Sequence, residues 1–255
     1  MTQPQPWVRC PQPRNAARTR LICFPHAGGS ANAYRSWPQL LGPATEVHVV
    51  QYPGRADRFA EPFVDEMTVA ADQIARELAS QSGRPYALFG HSMGGALAYE
   101  VARLLNEWGV APPDHLFISG RQPPMHHRTG DVHTFDDARL AAELLRLSTA
   151  NAELLSEPEL AELMFPIIRN DYRLIERYSP GDPTALTMPI TVLLGTEDEE
   201  LTVTEARDWR HYTQRQVTVR QFPGDHFYLI DQRHAVAELI ATALSADTID
   251  ASSTP

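Results

Sequence analysis

The chain has 255 residues, 43% of them hydrophobic, and a formal net charge of −10 at pH 7. That length suits a single α/β domain with a sizeable core. The negative balance, with no basic cluster, argues against nucleic acid and anionic membrane as partners. All 22 basic residues are arginine, which rules out both a Schiff-base lysine and a P-loop lysine.

Residues 1–18 are polar and proline-rich and read as a disordered tail; they lack the apolar stretch of a signal peptide. Cys10 falls in this tail and Cys23 in the apolar run "LICF". Two cysteines so placed predict no disulfide framework, a buried inert thiol at Cys23, and a cytoplasmic protein. No apolar run approaches the roughly 18 residues of a membrane span.

From residue 19 the chain alternates. The runs "RLICF", "EVHVVQY", "YALFG", "HLFISG", "ITVLLG" and "VTVRQF" are apolar without strict alternation, as strands covered on both faces should be. Helical patterns follow most of them. "TVAADQIARELAS" sets Val69, Ile74 and Leu78 on one face, and "ALAYEVARLLNEWG" ends at Gly109, a C-terminal cap. "TEARDWRHYT" and "AVAELIATALS" are two more. Strand–helix alternation predicts an α/β fold with a mostly parallel sheet covered by helices. One domain is expected over 19–245, with a second disordered tail at 246–255.

Residues 121–185 break the rhythm, offering the helical patterns "DDARLAAELLRLS" and "SEPELAELMFPIIRNDYRLIERY" and no strand. The second presents Leu160, Leu163, Met164, Ile167, Ile168, Leu174 and Ile175 as an apolar face, and Pro166 should kink it. An all-helical insertion after a strand is expected to be a lid roofing the site, because α/β sheets place ligands beyond the carboxyl ends of their strands.

"FGHSMGGALAYE" supplies the chemistry. G-H-S-M-G fits G-x-S-x-G, and the strand "YALF" before it and the helix after it are the setting in which such a serine is pushed out of the sheet on a strained turn. Gly90 and Gly94 remove the Cβ atoms that would keep strand and helix apart. Ser92 is therefore the candidate nucleophile, and a serine at its free pKa needs a base. His226, in "FPGDHF" after the last strand, is the candidate; His91 is expected to pack behind the serine. The acid should lie between them in sequence. Asp198 in "GTEDEE" is preferred, with Glu197, Glu199 and Glu200 as rivals. The oxyanion would take one N–H from Met93 at the helix start and one from Ala27 in "FPHAGGSANAY", where Gly28 and Gly29 permit an unusual backbone.

The set "CFPHAGGSANAYRSW", "QYPGRADR", "FGHSMGGALAYEVAR", "FISGRQPP", "IIRNDYRLIERY" and "FPGDHFYL" resembles the stand-alone type II thioesterases of polyketide and nonribosomal peptide synthesis, over about residues 20–243. The resemblance implies an α/β-hydrolase fold and a serine thioesterase. Its substrates would be acyl groups on the 4′-phosphopantetheine arm of acyl or peptidyl carrier proteins, and its task the removal of stalled or wrong units. It carries Ser92, Asp198 and His226 over as the triad, and Ala27 and Met93 as the oxyanion hole. No cofactor or metal of its own is implied; the partners would be carrier domains met transiently by a monomer. "GTEDEE" departs from relatives that have a proline after the aspartate, which leaves the choice among the acids open. A general carboxylesterase or lipase-like hydrolase is the alternative. Carrier proteins are usually acidic, so the net charge cannot drive docking, and Arg55 and Arg58 in "PGRADR" are the local candidates for it.

Overall fold

The computed structural model describes residues 6–251 except 82, 111 and 182. Its sheet has seven strands: β1 (Val8–Arg9), β2 (Thr19–Phe24), β3 (Thr45–Val50), β4 (Tyr86–His91), β5 (His115–Ser119), β6 (Ile190–Gly195) and β7 (Val217–Phe222). They are ordered β1-β3-β2-β4-β5-β6-β7. β1 runs antiparallel to β3, and every other pairing is parallel. The six expected strands are all present.

Their composition follows from position. β2, β4, β5 and β6 are buried along their whole length. Side chains leave alternate faces, so Ile22, Leu88, Ile118 and Val192 enter one apolar layer and Leu21, Phe89, Phe117 and Leu193 the other. Helix α1 (Trp37–Leu40) and, later in the chain, α8 (Arg233–Ala251) cover the second layer, the latter through Val236, Ala237 and Ile240. α2 (Met67–Ser80) and α3 (Met93–Glu107) cover the first. In α2 the inward stripe is Met67, Ala70, Ala71, Ile74 and Leu78, while Val69 is exposed. Gly109 takes φ +64 just beyond α3, the left-handed turn that ends a helix.

The boundary at residue 18 is corrected. Residues 7–9 are part of the domain: Val8 pairs with Val50, Trp7 is 6% exposed, and the Trp7 and Val8 N–H groups donate to the Glu77 carboxylate. Proline-rich composition hid a two-residue edge strand. At the other end α8 continues to Ala251, past the expected boundary at 245; residues 1–5 and 252–255 of the two expected tails lie outside the described residues.

The insertion holds α4 (Asp137–Leu147), α5 (Ala152–Ser156) and α6 (Pro158–Glu176). Helix α6 runs unbroken through Pro166. Leu140, Leu144, Ala161, Phe165 and Ile168 make a small core of their own. In α6 the i, i+4, i+7 stripe is Ala161, Phe165 and Ile168, which leaves Leu160 and Leu163 turned to water. After β6 comes α7 (Val203–Arg207), opened by a capping box between Thr202 and Glu205. Among the described residues no helix is long and apolar enough to cross a membrane.

Candidate active site

β4 ends at His91 and α3 begins at Met93, so Ser92 alone turns the chain between them, at φ 55 and ψ −119. A non-glycine residue there costs about 1–3 kcal/mol and persists only where its surroundings enforce it. The enforcement is visible. A Cβ on Gly90 would stand 2.1 Å from the Gly94 carbonyl oxygen, and one on Gly94 2.1 Å from that of Phe24. The Ser92 N–H donates to the Ser119 carbonyl at 2.8 Å, tying the turn to β5.

Two further loops arrive at the same sheet edge. The one after β6 carries Asp198 and the one after β7 carries His226. A Cβ on Gly195 would lie 2.3 Å from the Asp225 carbonyl oxygen, so glycine there lets the two loops touch. His226 Nδ1 is 3.0 Å from both carboxylate oxygens of Asp198. The Asp198 side chain is fully enclosed and its Oδ1 also accepts the Glu200 N–H at 2.9 Å. Glu199 and Glu200 pair with Arg146, Glu200 from the wall of the cavity itself, and the acid bonded to the imidazole is Asp198. Ser92, His226, Ala27 and Met93 all line one cavity of about 200 Å³. The structure thus brings the five triad and oxyanion candidates together: four around the cavity and Asp198 bonded to His226 behind it.

It adds one that the sequence reading passed over. Gly120 follows β5 at φ +58, and a Cβ there would stand 3.1 Å from the ring carbons of both His226 and His91 and 3.4 Å from Asp198 Oδ2. The available signal was the glycine of "FISG", directly after a strand.

Two more imidazoles surround His226. His91 is fully buried, its ring centroid 5.0 Å from that of His226. Its Nδ1 lies 2.9 Å from Ser119 Oγ, which is 2.6 Å from the Tyr228 hydroxyl. Burial, then the neighbouring His226, hold His91 well below the usual histidine range. His26, edge-on to Phe227 at 4.8 Å, is pushed down to about 4, first by burial and then by His226 and Arg55. Both therefore stay neutral near pH 7.

The arginines expected to face a partner do not. Arg55 and Arg58 are 3% and 4% exposed. Arg58 binds Glu61 and the Gln51 carbonyl and lies over the Trp7 ring; Arg55 is locked to Asp171. Buried in these contacts, neither can form a docking surface. The roof is corrected too: Val132, Leu147, Tyr172 and Ile175 line the cavity, and Met164 and Ile167 do not. Arg121 also lines it, with one ring nitrogen of His127 2.9 Å from its guanidinium.

One group among the described residues gathers metal-type ligands, Cys10, Glu46 and His48, with their donor atoms within 4.8 Å of one another. Arg84 and the Arg14 N–H already occupy the Glu46 carboxylate. A guanidinium in that position disfavours a cation, and the cluster pins the N-terminal segment to β3.

Residues 19–244 match the thioesterase domain family. A probable cadicidin biosynthesis thioesterase of Streptomyces griseus is 42% identical over 241 residues, 94% of this chain and 66% of that protein. The structure of the type II thioesterase BorB, from the borrelidin biosynthetic cluster, superposes with a TM-score of 0.87 at 39% identity, covering 95% of this chain and 99% of that one. That of YbtT, a type II thioesterase from the yersiniabactin NRPS/PKS biosynthetic pathway, gives 0.82 at 31% identity, over 94% and 99%.

Proposed function

The chain belongs to the thioesterase domain family, and we propose that it hydrolyses acyl groups from the 4′-phosphopantetheine arm of acyl or peptidyl carrier proteins. Its task would be to clear stalled or wrong units during polyketide or nonribosomal peptide synthesis. The observation that carries the chemistry is the convergence of Ser92, His226 and buried Asp198 at one sheet edge, around a cavity that Ala27 and Met93 also line. The relatives' biosynthetic pathways support the carrier arm as substrate.

In this reading Ser92 Oγ attacks the thioester carbonyl and His226 takes its proton. Asp198, bonded to Nδ1, fixes the tautomer and stabilises the imidazolium without taking the proton. The oxyanion is met by the Met93 N–H, which as the first residue of α3 has no partner within the helix, and by that of Ala27. A thiol of pKa about 8.5 leaves readily as thiolate, so acylation of Ser92 asks little general-acid help. Water, activated by His226, then releases the acid.

The test follows the intact mass of an acyl-loaded carrier protein with wild type and Ser92→Ala. Loss of the acyl mass with the arm left in place, by wild type alone, is the expected result. A loaded carrier that persists while small esters are cleaved would overturn the carrier substrate and leave a general esterase.

A further inference from the structure

Among the buried polar groups with no part in the mechanism above, one set reaches the oxyanion loop. Asp171 of α6 is 2% exposed. Its Oδ1 lies 2.6 Å from Arg55 NH2 and its Oδ2 2.5 Å from Arg55 NH1. The same Oδ2 accepts the Gly28 N–H at 2.7 Å. Arg55 NH1 also donates to the Gly29 carbonyl at 3.1 Å, and its guanidinium lies over the Tyr52 ring, whose hydroxyl donates to the Pro25 carbonyl. One turn earlier in α6, Ile168 stands so close that a Cβ on Gly28 would meet its Cγ1 at 2.7 Å. The backbone of residues 25–29 is thus gripped at Pro25, Gly28 and Gly29, while Ala27 lines the cavity.

A two-glycine loop with Gly28 at φ +80 has many conformations open to it. An oxyanion donor is useful only if it is oriented before the charge develops. A buried ion pair is by itself a weak source of stability, since desolvation offsets most of its attraction. We propose, on the reading of Ala27 as an oxyanion donor, that Asp171 is a positioning residue: clamped by Arg55, it captures the Gly28 N–H and so sets the neighbouring peptide of Ala27 toward the cavity. Helix α6 is then a fixed strut of the active site, because displacing it would release the oxyanion loop.

The test measures the rate at which an aryl fluorophosphonate labels Ser92, a reaction whose phosphoryl oxygen occupies the same hole, beside Tm for each variant. Asp171→Ala should slow labelling roughly 10- to 100-fold, less than the roughly 100- to 1000-fold loss when an oxyanion donor is removed outright, because the donor is misaligned and not deleted. Asp171→Asn keeps an oxygen for the Gly28 N–H and should lose much less, although both variants break the ion pair. Should Asp171→Ala fold poorly, the double variant Arg55→Met/Asp171→Leu replaces the pair with apolar volume; it should keep its Tm and still label slowly. Glu61→Gln, which loosens the Arg58 pair in the same motif but touches none of residues 25–29, should label at the wild-type rate. Wild-type labelling in Asp171→Ala and the double variant, or equal slowing in Asp171→Ala and Asp171→Asn, would overturn the proposal. A wild-type enzyme that labels but leaves the carrier loaded refutes the carrier substrate alone, because labelling needs no carrier.

Discussion

The sheet edge and the helical insertion present opposite ways of building half a cavity. At the edge, Ser92, Asp198 and His226 each sit one to four residues beyond the end of a strand, and the strands fix their separation. In the insertion, α4, α5 and α6 close on a small core of five buried residues, Leu140, Leu144, Ala161, Phe165 and Ile168, while Leu174 and Ile175 of α6 join the main core. Reacting groups gain from rigidity, because a displacement of about 1 Å can cost a hundredfold in rate. A wall that meets varied acyl groups needs no such precision. Rate should therefore be lost at the edge and at Asp171, which holds the oxyanion loop there, and selectivity in the rest of the insertion.

The largest effect that would sharpen this contrast is at Asp198. Asp198→Asn should lower kcat about 10⁴-fold with the fold intact, since the amide can no longer hold the imidazole tautomer with Nδ1 protonated. Glu200→Gln, two residues away in the same loop and on the cavity wall, should change kcat less than threefold because the Glu200 carboxylate is paired with Arg146 and not with the imidazole. Steady-state hydrolysis of one acyl-pantetheine thioester decides both. A large loss at Glu200 would move the acid of the triad.

The same contrast explains what could be read from the sequence. The elbow was legible because its cause is local: a strand, a strained serine and a helix are adjacent in the chain, and the glycines beside Ser92 are there for contacts within a few residues. His226 and Asp198 were legible because parallel strands deliver their following loops to one edge. The role of Arg55 was not. "YPGR" promised a surface charge, and only the fold shows that its guanidinium meets Asp171, 116 positions later. The lining of the cavity was missed for a related reason. Helical periodicity finds an apolar face without telling which neighbour it meets, so of that face only Ile175 lines the cavity, beside Val132, Leu147 and Tyr172 from outside it. The edge strand β1 failed on length, since two residues carry no period.

A smaller effect bears on the insertion. Leu144→Ala removes a buried side chain from its core and should cost about 2–4 kcal/mol locally. If the insertion is a separate cooperative unit, hydrogen exchange will rise in α4 and α6 while β4 and β5 stay protected, and kcat on a short acyl thioester will fall less than threefold. A uniform rise across the sheet would show that the two regions unfold as one, and would break the comparison.

The smallest effect concerns the protonation of two histidines, His26 on the cavity wall and His127 beside Arg121. Each is pushed down to about 4, by burial first and then by its neighbours, His226 and Arg55 for the former and Arg121 for the latter. In the unfolded chain both titrate near the ordinary histidine value of about 6.5. Their folded pKa values are lowered, so the stability they contribute is fully present above pH of about 6.5 and is lost as pH falls toward 4, where protons bind the unfolded state first. His26→Gln removes one such group and lies at the sheet edge. Its Tm relative to wild type should therefore improve steadily between pH 7 and 4.5, by a few degrees, and should stay constant above pH 7. His127→Gln, in the insertion, should give the same trend, because the cause is burial in both regions. Two Tm curves that run parallel to wild type across this range would mean that both imidazoles charge freely in the folded protein, and burial would not be what holds them neutral.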